Sequence, residues 1–170
     1  MKKLLPIVLC LFALTLSAQE PVPNETSGKG ISPLNSSTSQ PVSGRAGSLN
    51  SSTYAVVVGI SDYQDEKIPD LRFAHKDAEA FANFLRSPAG SGLDEDHLVV
   101  LQNDQATHAR IADALIWLLE TCQAGDKAII YFSGHGDVET ITRFNRGYLL
   151  TYDSPPKVYM AGAFNIRDLQ

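Results

Sequence analysis

Residues 128–137 read AIIYFSGHGD. With Lys127 the stretch opens as KAIIYF, an apolar run without polar alternation, as in a parallel strand covered on both faces. It ends at Ser133 and presents His135 between Gly134 and Gly136. Working outwards, YAVVVGI (54–60) is a short β-branched run that reads as a buried strand. AHKDAEAFANFL (74–85) places Ala74, Ala78, Phe81, Phe84 and Leu85 at helical spacing. The turn-rich SPAGSGLDED (87–96) leads to HLVVLQN (97–103), a second strand. Thr107 is an expected N-cap for a helix running to about Gln123, with Ile111, Ala114, Leu115, Leu118 and Cys122 on one stripe and Gly125 as its stop. GYLLTYD (147–153) is a candidate fourth strand. The order strand, helix, strand, helix, strand predicts an α/β fold with right-handed crossovers.

The bulk composition suits one soluble domain: 170 residues, 44% hydrophobic, formal charge −5. No basic stripe is available to neutralise phosphates, which argues against a nucleic-acid or membrane-surface role. Residues 1–18 have two lysines, an apolar run from Leu4 to Leu16 and small residues at Ser17 and Ala18, the layout of a secretory signal peptide. The expected location is therefore secreted or periplasmic, with no membrane association beyond targeting. Cys10 follows Leu9, not a small residue, so it does not read as a lipoprotein cysteine. Removing the signal leaves Cys122 alone, so no internal disulfide is expected. Residues 19–53, rich in Ser, Asn, Pro, Gly and Thr, read as a flexible linker, with N-x-[ST] sequences starting at Asn24, Asn35 and Asn50.

In α/β sheets chemistry gathers beyond the carboxyl ends of the strands, where SGHGD is expected. The flanking glycines are expected to let the backbone turn sharply at His135 before a polar loop. A lone histidine is weak evidence, and three roles compete. A metal site needs further ligands, and no His or Cys cluster lies nearby. A phosphate cradle needs a glycine loop leading into a helix. A general base beside a nucleophile fits best, because imidazole titrates near neutrality. There is no G-x-S-x-G elbow and no Walker-type loop to support another α/β hydrolase or a nucleotide-binding domain.

YAVVVGISDY, IPDLRFAHKDAEAFANFL, LQNDQATHARIADALIWL and GDKAIIYFSGHGD, in that order, resemble the caspase-like cysteine peptidases, particularly the metacaspase branch and its bacterial relatives. The resemblance covers residues 54–170. It implies a caspase-like α/β/α sandwich on a mostly parallel sheet, cysteine endopeptidase chemistry and a peptide or protein substrate. His135 matches the catalytic histidine. The nucleophile of that family is a cysteine at the end of the next core strand. The resemblance therefore implies a domain incomplete at its C-terminus, with AFNIRDL (163–169) as a helix leading to that strand. Such a chain is expected to be inactive, and its sheet to expose an apolar edge. Asp77 matches a pocket carboxylate that pairs with Arg or Lys of the substrate, while first-turn dipole compensation is its plain role.

No cofactor is expected, and TITRFNRG (140–147) lacks the acidic cluster with which some metacaspases hold calcium. Cys122 reads as a core residue, since its stripe points inwards and it precedes the histidine. Asp153 reads as a turn residue, and Asp137 and Glu139 as solvated loop carboxylates, with orienting the imidazole as their alternative role. His75, His97 and His108 read as structural or surface residues, and Trp117 as packing. The alternative function is a non-catalytic binding or scaffolding module of the same fold.

Overall fold

The computed structural model describes residues 5–15, by backbone alone, and residues 51–169. Residues 16–50, which hold most of the expected linker and Asn24, Asn35 and Asn50, lie outside the described residues. The elements are β1 (Leu5–Thr15), β2 (Thr53–Gly59), α1 (Ala74–Arg86), β3 (Leu98–Gln102), α2 (His108–Thr121), β4 (Lys127–Val138), β5 (Gly147–Leu150) and β6 (Ala163–Asn165).

The path through the sheet is β3-β2-β4-β5-β6, with β1 on β4 as well. Pairing is parallel at the centre, between β2 and both β3 and β4, and antiparallel elsewhere. Each crossover between parallel strands carries a helix, as the strand–helix order predicts. One face packs Ala55, Val57, Ile129 and Tyr131 against Ala78, Ala82 and Leu85 of α1. The other packs Val56, Val58 and Phe132 against Ile111, Ala114 and Leu118 of α2. Consecutive residues of β2 thus face different helices, so an unbroken apolar run is what the position requires. Each large side chain buried here contributes about 1.5–3 kcal/mol relative to exposure. The result is the expected α/β/α sandwich.

Close packing decides one glycine. A Cβ on Gly59, the last residue of β2, would lie 2.3 Å from the Cβ of Ala78 and 2.7 Å from the carbonyl oxygen of Ala74. Only glycine lets α1 sit this near the sheet.

Several expectations are corrected. Phe84 is exposed, and Ala82 takes its place on the buried side of α1. Helix α2 ends at Thr121, with Cys122 as C-cap, and Gly125 serves a left-handed turn (φ 101°) before β4. The third strand runs on through SGHGD to Val138, because its far end pairs with β5. Neither Gly134 nor Gly136 has a positive φ, so the sharp turn at His135 does not occur. AFNIRDL is strand β6 followed by a 3-10 turn over Ile166–Leu169. Seven residues are too few to nucleate an α-helix against the pairing on offer, where Phe164 lies opposite Leu149.

The edge of β4 is not bare. Thr15 and Thr53 both lie opposite Lys127, and Leu5 and Leu149 both lie opposite Gly136. Two partners of one residue must flank it from opposite sides. β2 and β5 therefore lie end to end along one edge of β4, and β1 lines the other.

Candidate active site

β4 delivers His135 to the carboxyl end of the parallel strands, where it is 3% exposed. A loop between β2 and α1 folds over it. That loop is tied to the sheet by backbone bonds from Ile60 N–H to Ser133 O (2.9 Å) and from Gln64 N–H to Tyr152 O (3.0 Å). Asn103, in a left-handed conformation (φ 45°), accepts the Ser61 N–H at 2.9 Å. Ile68 anchors the middle of the loop in the core.

The loop holds the histidine at two points. The His135 backbone N–H donates to the Tyr63 hydroxyl at 2.7 Å, and the two rings lie 5.2 Å apart. Burial pushes the Tyr63 phenol well above its usual range, opposed by the bond from His135 and helped by the charge of Asp70. It therefore stays neutral and accepts. The imidazole Nε2 lies 2.6 Å from the Pro69 carbonyl oxygen. A carbonyl only accepts, so Nε2 carries the proton. In the neutral imidazole the lone pair is then on Nδ1, which is buried without a hydrogen-bond partner among the described residues. A buried acceptor left unpaired costs about 1–3 kcal/mol, so this nitrogen is an exception among buried polar groups.

Gly134 makes room for this arrangement. A Cβ there would meet the Phe132 ring at 2.9 Å and the Tyr63 hydroxyl at 3.0 Å. The need is space for the ring pair, not a turn.

The other residues singled out in the sequence scatter. Asp77 is exposed in the first turn of α1, on the same rim as His135, with no side-chain partner among the described residues. Asp137 is half-buried and accepts from the Tyr159 hydroxyl at 2.6 Å, so it does not orient the imidazole. Glu139 is buried rather than solvated; it accepts from the Thr142 N–H and hydroxyl, both at 2.6 Å. Asp153 accepts the His108 N–H (2.8 Å) at the start of α2 and the Thr151 hydroxyl (2.8 Å), a structural tie. His97 stacks on Tyr54 and His108 on Phe164. Trp117 packs edge-on against Tyr54. His75 Nδ1 lies 2.6 Å from Ser61 Oγ, a nucleophile–base spacing, but Ser61 is 1% exposed and its Oγ already takes the His75 N–H. That pair fastens the loop to α1.

Neither cysteine stands beside His135. Cys122 is half-buried just before β4 begins, and eight residues of strand, about 26 Å, separate Lys127 from His135. Burial raises its thiol pKa, and nearby Asp126 adds to the shift. Cys10 lies in β1 four positions along from Pro6, the residue opposite His135, or about 13 Å of strand. Among the described residues no group of three or more His, Cys, Asp or Glu side chains is placed to hold a metal ion.

Residues 52–170 match the profile of the caspase domain. The chain belongs to the caspase domain family. The chain is 32% identical over 88 residues to Metacaspase-1 of Saccharomyces cerevisiae, in strains YJM789 and ATCC 204508 / S288c. It is likewise 32% identical over 88 residues to Metacaspase-1 of Eremothecium gossypii. Each match spans 48% of this chain and 19% of the relative.

Sequence reasoning reached His135 and missed Pro69 and Tyr63. Tyr63 lies within YAVVVGISDY and carried no signal of its role. Pro69 acts through its carbonyl, which every residue possesses, so no side-chain pattern could have marked it.

Proposed function

We propose that this caspase domain belongs to a cysteine-type endopeptidase of the metacaspase kind, with His135 as base and then acid. The observation that carries the reading is the divided imidazole: Nε2 fixed on the Pro69 carbonyl, Nδ1 buried and unpartnered. Nδ1 takes the proton from a cysteine thiol, and the thiolate attacks the peptide carbonyl carbon. The resulting imidazolium returns that proton to the departing amine, and water then releases the acyl group. The Pro69 carbonyl holds the tautomer and steadies the cation. The nucleophile belongs to a cysteine outside the described residues.

Asp77 is the proposed specificity carboxylate, for an Arg or Lys side chain. Its exposed position on the same rim and its free carboxylate support this. A cavity of about 270 Å³, walled by Asp137, Val138, Ile141 and Tyr159, opens two residues beyond His135 and suits a neighbouring side chain of a peptide. The apolar N-terminal run supports passage through the secretory route. Among the described residues no helix is long and apolar enough to cross a membrane.

The test uses the protein read through the DNA downstream of Gln170. Fluorogenic peptides ending in Arg should be cleaved in preference to those ending in Asp, and Asp77→Asn should raise KM for the Arg peptides. His135→Ala should lower kcat/KM by about 10²–10⁴-fold. Unchanged turnover in that variant would refute the peptidase reading, and cleavage after Asp would refute the basic specificity. A stop codon directly after Gln170 would favour the scaffolding alternative, which the absence of a cysteine beside His135 among the described residues keeps open.

A further inference from the structure

We propose that the tip of the hairpin between β4 and β5, residues 139–147, is a docking surface for an acidic segment of another protein that also carries large apolar side chains. Two large apolar side chains of the tip stand in water: Ile141 is 71% exposed and Phe144 58%. Cations flank the second of them. The Arg143 guanidinium carbon lies 5.2 Å from the centre of the Phe144 ring, and that of Arg146 lies 5.3 Å from it. A guanidinium seated on an aromatic ring keeps its N–H edge free, and that edge fits a carboxylate with two parallel bonds. Exposed apolar residues scattered singly are ordinary. Arg and aromatic side chains in one cluster are different, since such residues dominate the binding energy of many interfaces.

The fold leaves these cations unclaimed. Among the described residues neither Arg143 nor Arg146 has a carboxylate at ion-pair distance, and Arg146 Nε is buried without a hydrogen-bond partner. The nearby acids are committed elsewhere. Glu139 accepts from the Thr142 N–H and hydroxyl, both at 2.6 Å. Asp137 accepts from the Val138 N–H at 2.7 Å and from the Tyr159 hydroxyl at 2.6 Å. Residues 140–147, TITRFNRG, thus offer positive charge and no acid. Alongside, the cavity bounded by Ile141, Pro156 and Lys157 adds an apolar slot and a further exposed cation.

The tip is already shaped. The Glu139 N–H bonds to Arg146 O at 2.8 Å across its base, and the Phe144 N–H bonds to the Thr142 hydroxyl at 3.3 Å. Asn145 takes the left-handed conformation (φ 45°) that turns the chain back towards β5. A loop fixed in this way loses little entropy when a partner docks. The chain as a whole carries a formal charge of −5, which opposes approach to an anionic lipid surface. A peptide can instead place its carboxylates on the tip alone. Docking needs no bond cleavage, so the proposal holds whether or not the domain is a peptidase.

The experiment is fluorescence anisotropy on the full chain. Its probes are a short fluorescein-labelled peptide of Glu, Leu and Gly, the counterpart with Lys in place of Glu, and labelled vesicles of phosphatidylcholine with phosphatidylserine. The acidic peptide should bind, more weakly as salt is raised, while the basic peptide and the vesicles should not. Arg143→Gln with Phe144→Ser should weaken the acidic peptide by about 10-fold or more, the loss expected at a hot spot. Leu119→Ser, which removes a 75% exposed side chain of α2, should leave its affinity unchanged. Arg143→Glu should weaken the acidic peptide and strengthen the basic one, a crossover that misfolding would not produce. The proposal is overturned by an acidic peptide that stays free, by equal binding of the two peptides, or by unchanged affinity in the first variant. An equal loss in Leu119→Ser, or capture by the vesicles in place of the peptide, would overturn it as well.

Discussion

His135 is defined by what holds it as much as by what it is. Its ring nitrogen and its backbone N–H are both fixed by one loop, through Pro69 and Tyr63. The Tyr63 hydroxyl is the acceptor for a buried N–H. Tyr63→Phe should therefore destabilise the fold by about 1–3 kcal/mol, the cost of stranding a buried donor, and a lowered urea midpoint with unchanged slope would record it. At the same scale the contrast between His135 and His75 is instructive. Both lie in short polar motifs, and both have a ring nitrogen at 2.6 Å from an oxygen. Of the two, only His135 has a buried ring nitrogen without a hydrogen-bond partner among the described residues.

Elements meet here through small residues. Helix α1 reaches β2 over Ala74, Ala78 and Gly59, and beside the Ala78 methyl there is no room for a second one on Gly59. Gly59→Ala should push the helix outwards and cost about 1–3 kcal/mol, measured by chemical denaturation. The hairpin between β4 and β5 rests on a different device. Hydrogen bonds from the Thr142 hydroxyl and backbone, with Arg146 nearby, hold the Glu139 carboxyl below its ordinary value of 4.5 against the opposing effect of burial. A depressed carboxylate adds stability that is complete above the unfolded value and lost as pH falls through the folded one. Thr142→Val removes the hydroxyl bond and leaves the backbone one. The variant should melt below the native chain at pH 7, and the gap in Tm should close as the pH is taken down through the titration of Glu139.

Across the whole molecule, the sheet is organised around β4, which has partners on both of its edges. β4 is the pivot, with β2 and β5 sharing one side and β1 on the other. A chain without residues 1–18 would leave the β4 edge that β1 lines open to other strands. Light scattering at rising concentration should find this shorter chain associating where the full chain stays monomeric. Equal behaviour of the two would mean that another segment covers the edge.

How much of this was legible in the sequence follows from the range of the forces involved. The three parallel strands, both helices and the Thr107 cap were readable because period, β-branching and capping are local properties, decided within a dozen residues. The sandwich followed from their order, and His135 stood out because its neighbours in the chain mark it. Local pattern was blind to the continuation of β4 past Ser133, which depends on β5 arriving from outside. It was equally blind to β6, where a partner strand overrode a helical reading of AFNIRDL. The exposure of Phe84 depended on which side of α1 met the sheet. Above all, the tautomer of His135 rests on a proline carbonyl 66 positions away, and the pairing of the second β4 edge on residues at the opposite end of the chain. Composition and spacing determine which elements form. Only the folded arrangement decides which backbone groups meet, because every residue carries the same amide and the chain alone does not say where each one goes.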